Sequence, residues 1–271
     1  MLTDYHVHIY ETGGFDPNYL RRYAERAAEL GIEEWGLSEH AYFFAETRGI
    51  VEEPWAEARR RLRMEEYVAL VDAARAEGIP LKFGIEMDYV PGKEERIARF
   101  LESYPFDYVI GSVHWIGSWG IDLKEFRHEY ERRDIREVYR AYFDQIISMA
   151  EAHLVDIVGH IDLVKIFGYR PADPKFLDEL YEEVAEAVAR GGLVVEISTA
   201  GLRKPVGEIY PARPLLEKLH ARGVPIVLSS DAHEPENLGY AYDQALALAR
   251  EVGYREVVAF RGRRREVFPL G

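Results

Sequence analysis

The sequence predicts an α/β protein in which seven βα units wind into a barrel, with the functional site at the C-terminal ends of the strands. Two observations predict this. Short apolar, β-branched runs alternate with longer segments of helical period, the pattern of parallel strands joined by crossover helices. All seven strand candidates also carry a His, Asp or Glu at or near their C-terminal ends, where barrels build their sites. The 271 residues, 48% of them hydrophobic, are close to the usual size of one such barrel, so residues 1–271 are read as a single domain.

The first strand candidate, 4–9 (DYHVHI), sets His6 and His8 two residues apart, so both imidazoles face one side while Tyr5 and Val7 face the other. The second, 34–40 (EWGLSEH), ends in His40, and the third, 81–89 (LKFGIEMDY), carries Glu86. The fourth, 107–114 (DYVIGSVH), ends in His114, and the fifth, 156–161 (DIVGHI), carries His160. Glu196 lies in the sixth, 193–199 (LVVEIST), and the seventh, 225–233 (PIVLSSDAH), runs into Asp231 and His233. Helices are expected over 17–30, 64–77, 94–102, 135–154, 174–190, 213–222 and 238–252, several closed by a glycine as in ELGI, AEGIP, ARGG and ARGVP. A last apolar run, 256–260 (EVVAF), is either an extra strand or a tail packed on the barrel. The two longest connections, 41–63 and 115–134, are expected to be active-site loops.

Composition narrows the chemistry. There is no cysteine, which excludes disulfides and leaves any metal to histidine and carboxylate ligands. The formal charge, 34 − 48 = −14, would repel a nucleic-acid backbone. No apolar run approaches the roughly 18 residues that span a bilayer, and MLTDYHVH has no basic, then apolar, leader pattern. The reading is a soluble cytoplasmic protein with neither a membrane nor a nucleic-acid partner; a homo-oligomer is compatible with it. Scattered core histidines would show no strand-end register. His128, His153 and His220 do scatter, in helical segments, and are assigned to surface or capping roles. The strand-end set reads as a multinuclear metal site, and mixed imidazole and carboxylate donors suit zinc, iron(II) or manganese better than calcium.

The motifs DYHVH, SEH, GIEMDY, GSVHW, VGHIDLV and SSDAH occur in the order and spacing of the PHP superfamily, which the chain resembles from Asp4 to at least His233. The resemblance implies a distorted, TIM-like (β/α)7 barrel holding a trinuclear metal centre. GSVHWIGSWGID, GHIDLVKIFG and STAGLRKPVGEIYP are similar to the histidinol-phosphatase branch. This implies a metal-dependent phosphomonoesterase acting on a small molecule, L-histidinol phosphate, in histidine biosynthesis. Carried over by residue, the resemblance sets His6, His8, Glu86 and Asp231 around one metal, with Glu86 bridging to a second that also takes His114 and His160. His40 and His233 hold the third, so two to three divalent ions are expected, with Glu86, Asp231 and His233 as the catalytic groups. Many relatives carry another ligand where this chain has Gly14; Glu11 or Asp16 could substitute, or water. Relatives often have an aspartate where this chain has Glu39, which is expected to stand behind the ligands.

Phosphate monoester hydrolysis is among the slowest uncatalysed reactions, and paired divalent ions supply the acidified water and charge stabilisation that a lone acid or base cannot. Arg203, just past the sixth strand, is the first candidate to grip the phosphate, since guanidinium binds oxygens bidentately; Lys165 is the second. Ser198 faces the same way as Glu196 and could donate to phosphate or to a carboxylate. In HWIGSWGID, Trp115 and Trp119 offer faces to an imidazole ring and Asp122 could meet an ammonium. The runs RRRLR (59–63) and RGRRR (261–265) read as a charged helix face or tail. Three rivals stand beside this reading: a PHP enzyme for another phosphomonoester or for nucleic-acid ends, an amide or ring hydrolase, and a non-catalytic metal binder. The ring hydrolase would usually bridge its metals with a lysine on the fourth strand, where this chain has His114. A structural site rarely needs so many ligands.

Overall fold

Seven parallel strands form one sheet in the computed structural model, which describes residues 1–271. They are β1 (Thr3–Asp4), β2 (Glu34–Leu37), β3 (Leu81–Asp88), β4 (Tyr108–Ser112), β5 (Ile157–Val158), β6 (Val194–Ser198) and β7 (Ile226–Ser229), hydrogen-bonded in chain order. Trp35 lies beside Leu81, Glu86 beside Ile110 and Val195 beside Ile226. The sheet nearly closes where the first and last strands run on past their regular ends. There Val7 lies parallel to Ala232; the His8 N–H donates to the Ala232 carbonyl (2.8 Å) and the Ala232 N–H to that of His6 (3.0 Å).

The barrel is distorted because side chains replace part of its ladder. β1 is regular for two residues only, against the expected six, and beyond it the Val7 N–H donates to Ser38 Oγ (3.1 Å). The buried Tyr108 hydroxyl crosses the interior to the carbonyls of Tyr5 (2.7 Å) and Leu37 (2.9 Å). Gly36 and Gly84 make room for it: a Cβ at Gly84 would lie 2.3 Å from the Tyr108 ring, and one at Gly36 2.6 Å from its hydroxyl.

Helices α1 (Pro17–Leu30), α2 (Met64–Ala76), α3 (Glu94–Glu102), α4 (Ile135–Ala152), α5 (Pro174–Gly191), α6 (Arg213–Ala221) and α7 (Tyr242–Val252) follow the strands in alternation. Asp16, Asp134 and Asp173 cap α1, α4 and α5 by accepting the N–H two residues on. Helix α7 starts four residues later than its periodicity suggests. Gly239 and Ala241 both take positive φ there, and the Gly239 N–H is pinned to Asp4 Oδ2 (3.1 Å). Helix α4 stops before the expected 154 because His153 turns left-handed, at φ 52°.

The final run is an extra strand: β8 (Glu256–Arg261) pairs antiparallel with β9 (Arg264–Pro269). Val258, Ala259 and Phe260 pack on Tyr5, Tyr108, Ile110, Ile157, Val194 and Val227. This hairpin plugs the N-terminal end of the barrel. RGRRR is thus a hairpin turn, in which Arg263 pairs with Asp156 (2.9 Å). RRRLR precedes α2 and is no helix face. Its Arg60 is buried, donating to the carbonyls of Phe44 (3.1 Å) and Val51 (2.8 Å) and so bracing the 41–63 connection. No helix is long and apolar enough to cross a membrane.

Candidate metal centre

Six imidazoles and two carboxylates converge at the C-terminal ends of the strands. Glu86, fully buried on β3, is their hub. Its Oε1 lies 3.2 Å from His6 Nε2, 3.3 Å from His114 Nε2 and 3.1 Å from His160 Nε2. Its Oε2 lies 2.5 Å from His40 Nδ1 and 3.6 Å from His8 Nε2. Asp231 Oδ1 stands 3.6 Å from His8 Nε2 and 3.5 Å from His233 Nδ1. Potential ligand atoms fall into four overlapping sets: His6, His8 and Asp231; His6, Glu86 and His160; His40, Glu86 and His114; and His8, His40 and His233.

Such a set fits metal ions better than it fits itself. His8 has no hydrogen-bond partner on either nitrogen, though its ring stacks on His40 at 4.2 Å and on His233 at 4.5 Å. His6 Nε2 is likewise buried without a partner, and Glu86 Oε2 has none beyond its close approach to His40 Nδ1. Orphaned buried polar atoms are costly, and aiming several of them at one point is reasonable only if a cation joins them. The fields agree. Burial opposes charge on Glu86, yet His6, His40 and His114 hold its carboxyl well below the ordinary range. Burial opposes charge on Asp231 too, but His6, His233 and Lys204 bring its pKa down to about 2. His8 is pushed well below its usual value by burial and by the neighbouring His40 and His233, which keeps it neutral and able to ligate.

Behind the ligand atoms stand carboxylates that orient them, a common arrangement around metal-binding histidines. Glu196 reaches His6 Nδ1 (2.9 Å) and accepts the His160 N–H (2.6 Å). Asp88 stands 2.9 Å from His114 Nδ1, and Ser112 Oγ donates to Glu86 Oε1 (2.7 Å). Glu39 accepts the N–H groups of Ile9 and Tyr10, fixing the chain just after His8, and burial raises its pKa to about 7. Asp88 and Ser112 escaped the sequence reading. Alternation was the available signal, since each lies two residues from a cluster residue on its own chain segment.

A family model for the PHP domain matches residues 4–200. The chain belongs to the PHP family. Among its relatives, a protein of Deinococcus radiodurans named "Probable histidinol-phosphatase" is 36% identical over 97% of this chain and 98% of its own length. The histidinol-phosphatase of Bacillus subtilis is 27% identical over 90% and 97%. A crystal structure of histidinol phosphate phosphatase from Lactococcus lactis, complexed with zinc, L-histidinol and phosphate, superposes with a TM-score of 0.80 at 25% identity and covers 98% of both chains.

Around this PHP centre the other candidates divide. Arg203 comes close: its Nη2 donates to the carbonyls of Ser230 (2.7 Å) and Asp231 (3.0 Å), while its buried Nη1 has no partner. Lys165 is buried against Asp162 (2.8 Å) and the Ile209 carbonyl (2.9 Å), with its ammonium 5.1 Å from the Tyr210 ring. Ser198 Oγ caps the turn after β6 by accepting the Ala200 N–H. Trp119 packs on Tyr130 and donates to the Phe126 carbonyl, whereas the buried Trp115 lies 6.0 Å from Trp55 with its N–H unpartnered. Asp122 is half-buried near the rim. Asp16 is spent as the α1 cap and Glu11 belongs to none of the four ligand sets, whereas His8 completes a set with His40 and His233. The sequence reading also missed Lys204, an exposed cation whose charge reaches both Asp231 and His233. His128 and His153 are exposed, and His220 packs on Tyr254, all outside the cluster.

Proposed function

We propose that this chain is a metal-dependent phosphomonoesterase that hydrolyses L-histidinol phosphate to L-histidinol and phosphate, a step of histidine biosynthesis. The observation that carries the reading is the buried set of unpartnered histidine and carboxylate atoms around Glu86. The names of the full-length relatives and the ligands of the Lactococcus lactis structure support the substrate.

His6, His8 and Asp231 would hold one divalent ion, Glu86 with His114 and His160 a second, and His40 and His233, with His8 beside them, a third. Zinc, iron or manganese suits these donors. When bound, such ions acidify water and neutralise phosphoryl oxygens. The chain's own residues do the rest. Asp231, ionised and near the mouth, takes the proton of the attacking water. It returns that proton to the leaving oxygen as the ester P–O bond breaks, while His233, 3.5 Å from Asp231 Oδ1 and with 32% of its side chain exposed, would hold the third ion at the mouth beside it. Arg203 presents its free Nη1 to the phosphoryl group while Nη2 steadies the Ser230–Asp231 backbone. Asp122 and Trp115 are assigned to the leaving alcohol.

Metal-replete protein offered histidinol phosphate, nitrophenyl phosphate and a 5′-phosphorylated DNA oligonucleotide is expected to release phosphate fastest, by kcat/KM, from the first. Preference for the oligonucleotide would overturn the reading. Arg203→Ala is expected to lower kcat/KM about thirtyfold on every phosphomonoester alike, the equivalent of about 2 kcal/mol for a charge-assisted contact to a shared group. A loss confined to histidinol phosphate would place Arg203 on the alcohol instead.

A further inference from the structure

Asp231 takes a left-handed backbone, at φ 50°, without being glycine, so its neighbours must hold it there. Arg203 Nη2 grips the carbonyls of Ser230 (2.7 Å) and Asp231 (3.0 Å), and the Ala232 N–H is tied to the His6 carbonyl (3.0 Å). The remaining hold is one side chain. Asp4, at the end of β1 and fully buried, accepts the Ser230 N–H at Oδ1 (3.0 Å), while its Oδ2 accepts both Ser230 Oγ (2.5 Å) and the Gly239 N–H (3.1 Å). Ser230 and Gly239 bracket the segment that carries Asp231.

Stability alone explains this carboxylate poorly. It pairs with no lysine, arginine or histidine, and a buried acid answered only by neutral donors is expensive. What it offers is geometry: two oxygens that accept from several directions and donate nothing, as three converging donors require. Released from Asp4, the segment would be free to relax the φ of Asp231 and carry its Oδ1 away from His6 Nε2 (3.9 Å) and His8 Nε2 (3.6 Å).

We propose that Asp4 is a positioning residue, which acts through Ser230 and Gly239 to keep the Asp231 carboxylate aimed at His6 and His8. The inference rests on the metal-dependent phosphomonoesterase reading and deepens it by dividing the centre. The ion that His6, His8 and Asp231 would hold depends on Asp4. The ion that Glu86, His114 and His160 would hold does not, because none of these residues belongs to the bracketed segment. Asp4 should therefore govern turnover and one ion, and leave the grip on the substrate alone.

The test compares wild type, Asp4→Asn, Ser230→Ala, Asp231→Asn and the Asp4→Asn/Asp231→Asn double variant by equilibrium dialysis with zinc, circular dichroism, and kinetics on histidinol phosphate and nitrophenyl phosphate. Asp4→Asn keeps the size of the side chain but turns an amide N–H toward donors. It is expected to weaken one zinc ion by about tenfold to a hundredfold and to lower kcat by a similar factor, with the other ions unchanged and KM for either ester within about twofold. Ser230→Ala removes one donor of the three and should fall between wild type and Asp4→Asn. In the double variant the two losses of zinc affinity should overlap and fall short of their product. Unchanged zinc binding in both single variants, equal weakening of every ion, or losses that multiply in full would overturn the positioning role and leave Asp4 as a prop of the fold. Should Asp4→Asn fail to fold, Ser230→Ala decides by the same readings. A wild type that hydrolyses neither ester while zinc binding follows the expected pattern would overturn the phosphatase reading and leave the positioning role standing.

Discussion

Glu86→Gln is expected to cut kcat by at least about a thousandfold while the barrel stays folded. The substitution keeps the shape of the side chain and removes its charge. Glu86 Oε1 lies within 3.3 Å of His6, His114 and His160, and Oε2 lies 2.5 Å from His40. No other carboxylate approaches so many members of the cluster, so a neutral amide weakens every ion the cluster shares and turns an N–H toward nitrogens that are needed as acceptors. His153→Asn provides the contrast. His153 is exposed and closes α4 in a left-handed conformation that asparagine adopts readily, so turnover should stay within about twofold of wild type. Steady-state kinetics with matched circular dichroism decides; similar losses in the two variants would show that the cluster is not the reacting centre.

Stripping divalent ions is expected to eliminate turnover and to lower the melting temperature by several degrees, both restored by adding metal back. The orphaned nitrogens of His6 and His8 are buried, so removing the ions leaves polar atoms that water does not reach. Ions that bind the native state alone stabilise it by mass action, about 4 kcal/mol at a thousand times the dissociation constant. Elemental analysis of active protein should find two to three ions per chain. One ion or none in fully active protein would sink the multinuclear assignment.

Much of this was legible in the sequence because parallel strands repeat with period two and barrels gather their strand ends. His6 and His8 announced a shared face, and the positions of His40, Glu86, His114, His160 and Asp231 announced a shared level. Pairings between distant residues were not legible. Nothing local told that Asp88 would meet His114, or that Lys165 would meet Asp162. Backbone exceptions were hidden too: His160 and Asp231 take positive φ without being glycine, at 20° and 50°, a strain that surrounding contacts sustain at functional positions. RRRLR misled for a related reason. Charge suggests solvent, but Arg60 finds four acceptors inside its own loop.

The hairpin of β8 and β9 gives the molecule only one doorway. With Phe260 seated against Tyr5 and Tyr108, the barrel has no passage from floor to mouth, and everything that reaches Glu86 must come and go past the strand tips. Phosphate and alcohol formed at the centre therefore leave along the route by which the next ester arrives. Arrival and departure share that one route, so inorganic phosphate is expected to compete with the substrate for entry.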